Sequence, residues 1–126
     1  MNLQNDVKMF MEAADQYTTE TPRFTLQNDA QSTLYMNLIC EEYTELNKAF
    51  SGRNMIETAD AVADLVWVVL GLCNTVGIPF EKVWEEVKSS NMSKVSENGK
   101  ILKRADGKIL KPDTYFQPNI APLLQS

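Results

Sequence analysis

Apolar residues recur at helical spacing along most of the chain before Asn91, and polar clusters with Gly or Pro interrupt them. Val7, Phe10, Met11 and Ala14 share one face of a first helix expected over Leu3 to Tyr17. Thr18 to Gln27, with Pro22 inside it, reads as a loop. A second helix opens at Asp29 or Ser32, either of which can cap it, and runs to Phe50 before Gly52 stops it. Asn54 caps a third helix, with Glu57 at the capping-box position, and that helix runs to Val76 and ends at Gly77. Pro79 supplies the first helical position of a fourth, which carries Phe80, Val83, Trp84 and Val87 to Ser90. Four helices with short connections are the pattern of an all-α bundle.

After Asn91 the texture changes. The string Gly99 to Lys103 is echoed by Gly107 to Lys111, and Asp106-Gly107 between them is a turn signal. A short hairpin or an extended arm fits this stretch, and Pro112, Pro118 and Pro122 argue against a further helix. The expected organisation is one domain over 1–126, with a helical core over about 1–94 and an extended C-terminal arm over about 95–126.

Composition removes several chemistries. The 126 residues include no histidine, which excludes Ser-His-Asp and Cys-His machinery and any His-containing zinc site. Twelve basic against seventeen acidic residues give a net charge of −5, the wrong sign for a general nucleic-acid clamp. Cys40 and Cys73 are too few for a disulfide scaffold, and both lie in apolar helical patterns that suggest buried thiols. Asp6, Lys8, Glu12 and Asp15 leave no room for an export signal near the start. The longest uncharged run, Leu65 to Phe80, has 16 residues, short of the ~18 that a membrane span requires. A cytoplasmic protein without membrane attachment is expected.

The acids are oddly placed. Glu42 and Glu45 continue the stripe begun by Leu34 and Leu38, with Glu41 at its edge. Glu57, Asp60 and Asp64 share one face of the third helix, which from Leu65 to Leu72 is apolar on every side. Carboxylates on faces meant for burial are costly, and like charges at three- and four-residue spacing repel. Lys48 and Arg53 are the only nearby cations. A divalent cation offers the missing charge, and all-oxygen ligands suit Mg2+ or Mn2+ rather than zinc. The plainer alternative is a solvated acidic face. Glu57 also has a capping role open to it, and Asp64 is either a ligand or a buried acid paired to a lysine.

Written together, Glu41-Glu42-Tyr43-Thr44-Glu45, eleven intervening residues, then Glu57-Thr58-Ala59-Asp60 resembles the EExxE…ExxD signature of the MazG-like all-α nucleoside triphosphate pyrophosphohydrolases. Asn91-Met92-Ser93-Lys94 followed by Asp106-Gly107-Lys108 and Lys111-Pro112 is similar to the phosphoribosyl-ATP pyrophosphohydrolase-like branch. The resemblance implies a four-helix bundle completed by oligomerisation. It also implies magnesium held by Glu42, Glu45, Glu57 and Asp60, with Glu41 or Glu45 orienting the attacking water or taking its proton. Asn91 and Lys94 match positions resembling phosphate- or nucleotide-contacting residues, and Lys108 and Lys111 are further cations for the leaving pyrophosphate.

The reaction so implied is (d)NTP + H2O → (d)NMP + pyrophosphate, a house-cleaning activity. A phosphoribosyl-ATP pyrophosphohydrolase of histidine biosynthesis would use the same metal site. A non-catalytic helical interaction module, with the acids as a binding face, is the reading from another class. Trp67, Trp84, Tyr115 and Phe116 are candidates for stacking on a base, although helical aromatics are more often core. The all-round apolar Leu65–Leu72 segment predicts a homodimer or homotetramer, with the third helix near the subunit interface.

Overall fold

The computed structural model describes residues 1–125. They divide into two compact units, Met1–Ile78 and Pro79–Gln125. The elements are α1 (Leu3–Ala13), α2 (Leu26–Ser51), α3 (Met55–Val76) and α4 (Phe80–Met92), followed by a 3-10 turn at Ala121–Leu124. No strand forms among the described residues, so the all-α expectation holds. No single helix among them is long and apolar enough to cross a membrane.

Local chemistry moves several boundaries. α1 stops short of Tyr17 because Asp15 turns left-handed, with φ 57°, a conformation that aspartate tolerates. The backbone of Tyr17 is then held by α2, its N–H donating to Gln31 Oε1 (2.9 Å) and its carbonyl accepting from Gln31 Nε2 (2.7 Å). α2 starts at Leu26, earlier than Asp29 or Ser32. Thr25 is its cap: Thr25 Oγ1 accepts from the Asn28 N–H, and Asn28 Oδ1 accepts from the Thr25 N–H (3.0 Å). That is a capping box built with Asn in place of the usual Glu or Gln. Asn28 is fully buried, and its Nδ2 donates to the carbonyls of Arg23 (3.1 Å) and Thr75 (3.2 Å).

α3 begins and ends where its caps predict. Asn54 Oδ1 accepts from the Glu57 N–H (3.0 Å), and Gly77 closes the helix at φ 81°. A side chain at Gly77 would meet the Thr21 carbonyl at 2.3 Å, so both conformation and space demand glycine there. α2 and α3 run antiparallel, joined by the short turn at Gly52–Asn54, with the start of α2 tied to the end of α3 through Asn28 and Thr75. Midway, the buried Tyr35 ring lies where a Cβ on Gly71 would be, 2.1 Å from its Cε1, so the two helices approach closely at this level.

α1 lies on α3. Val7, Met11, Leu70, Cys73 and Val76 belong to the core, Asn74 Nδ2 donates to the Gln4 carbonyl (3.2 Å), and Phe10 meets the edge of Trp67 with ring centroids 5.5 Å apart. The all-round apolar stretch of α3 is not fully covered within one chain: Val66 and Trp67 are 43% and 38% exposed, and Val62, a turn earlier, is 48% exposed. Cys73 is buried as expected, but Cys40 is exposed, because it falls well round α2 from the α3-facing Tyr35.

In the second unit, Pro79 is the residue before α4 rather than its first member, and the helix passes Ser90 to reach Met92. The chain then folds back on α4. Ser90 Oγ donates to the Phe116 carbonyl (2.8 Å), the Phe116 N–H to Ser93 Oγ (3.1 Å), and the Asn119 N–H to Glu86 Oε1 (2.8 Å). Between these points lie two isolated antiparallel bridges, Val95 with Ile101 and Lys103 with Ile109. The turn at Asp106-Gly107 forms as its dipeptide predicts, with Gly107 at φ 89° and Arg104 paired to Asp106 (2.6 Å). The prolines do not exclude every helical turn: Pro122 sits in the first turn of Ala121–Leu124, where its missing N–H costs nothing.

Candidate functional site

Glu42 and Glu45 of α2 and Glu57, Asp60 and Asp64 of α3 line one cavity of about 380 Å3, together with Lys48, Ala49 and Ala61. The spacing produces this directly. Positions 42, 45 and 49 form one stripe of α2, and 57, 60, 61 and 64 form one stripe of α3. Both stripes face the partner helix, and at this level the facing residues include two buried alanines. Small side chains leave the helices with space between them that the acids rim.

The acids are therefore not buried, contrary to what the periodicity suggested. Glu42 is half-buried, while Glu45, Glu57, Asp60 and Asp64 are exposed. Glu41 is exposed and does not line the cavity. Among the described residues none of these carboxylates has an ion-pair partner. Lys48 lines the cavity without closing on an acid, and the Arg53 guanidinium lies over the Phe50 ring, 4.6 Å from its centroid. The helix cap does not employ the Glu57 carboxylate either, since the Asn54 N–H donates to the Ala49 carbonyl (3.1 Å).

The electrostatic consequence falls on Glu42. Desolvation, then the charges of Asp64, Glu45, Glu41 and Asp60, push its carboxyl above the usual range. The five acids around this space form an all-oxygen donor set whose negative charge exceeds that of the single lysine beside them, which suits a hard divalent cation. Among the described residues no three acidic or cysteine side chains stand converged on one point, so side-chain rotation is needed before any of them shares an ion.

The other candidates belong to the second unit. Lys94 Nζ donates to Asn91 Oδ1 (3.1 Å) and lies 5.8 Å from the Tyr115 ring centroid, and Lys111 Nζ lies 4.9 Å from the same centroid. Lys108 stands apart in the Asp106-Gly107 turn, where its N–H donates to Asp106 Oδ1 (3.0 Å). Of the helical aromatics, Trp67 pairs with Phe10 and Trp84 with Phe80. In the sequence Lys48 reads only as a counter-charge and Asp64 as either a ligand or a buried acid; the i, i+4 and i, i+7 relation of Asp64 to Asp60 and Glu57 is the signal that places it with them.

The family model described as phosphoribosyl-ATP pyrophosphohydrolase matches residues 7–91, a segment holding all five cavity acids and ending on Asn91. A comparison with functionally curated proteins finds no match. With more than half of the chain inside that match and an all-α structure around the two acidic stripes, the chain belongs to the phosphoribosyl-ATP pyrophosphohydrolase family and is a nucleotide pyrophosphohydrolase of the MazG-like superfamily.

Proposed function

We propose that this chain hydrolyses nucleoside triphosphates, canonical or damaged, (d)NTP + H2O → (d)NMP + pyrophosphate, with Mg2+ (or Mn2+) held by Glu42, Glu45, Glu57 and Asp60. The observation that carries this reading is the cavity between α2 and α3, with five carboxylates against one lysine and, among the described residues, no ion pair to satisfy them. Bound magnesium would screen the triphosphate charge and acidify a coordinated water.

The chain's own groups supply the rest. Glu45 lines the cavity and is the better candidate for orienting the attacking water and accepting its proton; Glu41 does not line it and raises the negative potential around Glu42. Lys48 is the one cation on the cavity wall among the described residues, and in this reading it meets a phosphate oxygen. Asn91, Lys94, Lys108 and Lys111 contact the substrate's phosphates. The chain works as a homodimer or homotetramer, a reading supported by the exposed Val62, Val66 and Trp67 on α3.

The family description favours a second reading at the same site, in which phosphoribosyl-ATP is the substrate. A panel of NTPs, dNTPs and phosphoribosyl-ATP, assayed for pyrophosphate with and without Mg2+ in 18O-water, separates the two. The expected result is Mg2+-dependent release of pyrophosphate from NTPs or dNTPs, with the label in the monophosphate. Turnover of phosphoribosyl-ATP alone would select the second reading, and orthophosphate as first product would defeat both.

A further inference from the structure

We infer that Tyr115 is a positioning residue whose ring holds the ammonium groups of Lys94 and Lys111 as a two-point clamp for a diphosphate-bearing anion. The inference rests on the reading of those two lysines as phosphate contacts and adds the device that aims them.

Folding of the second unit assembles this device from distant positions. Three hydrogen bonds fasten the Tyr115 region around the end of α4, and a fourth closes the turn that leads into it. Thr114 Oγ1 donates to the Ser93 carbonyl (3.1 Å), the Phe116 N–H to Ser93 Oγ (3.1 Å), Ser90 Oγ to the Phe116 carbonyl (2.8 Å), and the Tyr115 N–H to the Pro112 carbonyl (3.0 Å). The ring is thereby fixed beside Lys94, which follows α4, and Lys111, which precedes the Pro112 turn. Each ammonium group lies over the π-system of the ring, Lys94 at 5.8 Å and Lys111 at 4.9 Å from its centroid.

Neither lysine has a carboxylate partner among the described residues, although the protein carries a net charge of −5. An ammonium group has three donors. Asn91 Oδ1 takes one from Lys94, and the ring faces another, which leaves donors on both lysines with no acceptor among the described residues. Two uncompensated cations sharing one ring repel each other, and an anion carrying charge on two phosphates relieves that repulsion at both points. Without the ring, two long side chains would have to be ordered at the moment of binding.

The test is calorimetric titration of inorganic pyrophosphate into the full chain without Mg2+. Tyr115→Leu should weaken binding about tenfold, the scale of losing two exposed cation–π contacts and their ordering. Tyr115→Phe should stay within about twofold of wild type. Progressively fluorinated phenylalanines at 115 should weaken binding stepwise as the ring face loses its negative charge, which a purely structural role would not do, and this series covers the case in which Tyr115→Leu misfolds. Unchanged affinity in Tyr115→Leu, a flat fluorination series, or no pyrophosphate binding by wild type would each overturn the clamp. The same titration in the Glu57→Gln/Asp60→Asn chain keeps the two readings apart. Tyr115-dependent binding in a protein that hydrolyses no nucleotide would leave the clamp standing and remove the proposed reaction.

Discussion

Gly71→Ala adds one methyl group to the middle of α3, at the point where that helix meets Tyr35. The new Cβ would lie 2.1, 2.6 and 2.7 Å from Cε1, Cδ1 and Cζ of the ring, distances that carbon atoms do not sustain. The ring has little freedom to yield, being 3% exposed with its hydroxyl donating to Gln16 Oε1. Overpacking of this kind costs about 1–3 kcal/mol, and contact with several ring atoms places it at the upper end. Alanine recovers about 1 kcal/mol of helix propensity relative to glycine. The net loss is about 2 kcal/mol, or a Tm lower by about 6–10 °C for a chain of this length. Urea and thermal melts followed by circular dichroism, at one fixed protein concentration, measure it. Tyr35→Ala in the same chain makes room for the methyl, so the double variant should be at least ~1 kcal/mol more stable than the two single losses predict. A Gly71→Ala protein as stable as wild type, or strictly additive losses, would refute the close approach of α2 and α3.

Glu45→Gln, Glu57→Gln and Asp60→Asn should each lower pyrophosphate release by about 10²-fold or more, and wild-type turnover in any two of them would break the metal assignment. Glu42→Gln should lose activity as well, yet raise Tm of the Mg2+-free protein. A carboxyl held above its ordinary pKa of 4.5 binds its proton more tightly folded than unfolded, so its ionisation removes stability as pH rises through the folded pKa. The Tm advantage of Glu42→Gln should therefore be largest at neutral pH and vanish in the acid range where Glu42 is protonated; chelation of Mg2+ should leave the variant's Tm less affected than that of wild type. Light scattering at micromolar concentration should give the mass of a dimer or tetramer, and Trp67→Glu should shift it toward the monomer. A monomeric wild type that retains activity would remove helix α3 as an interface.

The helices were legible in the sequence wherever a single residue type could perform the local task. Asn54 and Gly77 bound α3 because a side-chain acceptor and a left-handed glycine are specific signals. The start of α2 was not legible in the same way. Thr25 and Asn28 cap each other, but Asn at that position also reaches two distant carbonyls, and only tertiary structure reveals that demand. For the acids, periodicity identified the correct faces and misjudged their exposure. It reports which residues turn toward a neighbouring helix, not whether the neighbour fills the space, and Ala49 and Ala61 do not. The Lys94–Tyr115–Lys111 group was beyond periodicity altogether, since it depends on a chain reversal secured by serine and threonine hydroxyls.

The fastening of α3 is uneven along its length. From Leu70 to Val76 the helix is almost wholly enclosed, and Thr75 and Asn74 are gripped by Asn28, Gln31, Gln4 and the Thr19 N–H, while the Val76 carbonyl accepts from the Arg23 N–H (3.0 Å). At the other end Met55 and Ile56 are 79% and 83% exposed. α3 is thus a cantilever, clamped where it carries no acids and unloaded where it carries three. Opening free energies rise along such a helix toward its anchored end, so small displacements near Glu57 and Asp60 draw little on the core. If these acids hold the substrate as proposed, a wall mounted on the compliant end would close to different extents on nucleotides of different size while the hydrophobic packing behind it keeps its shape.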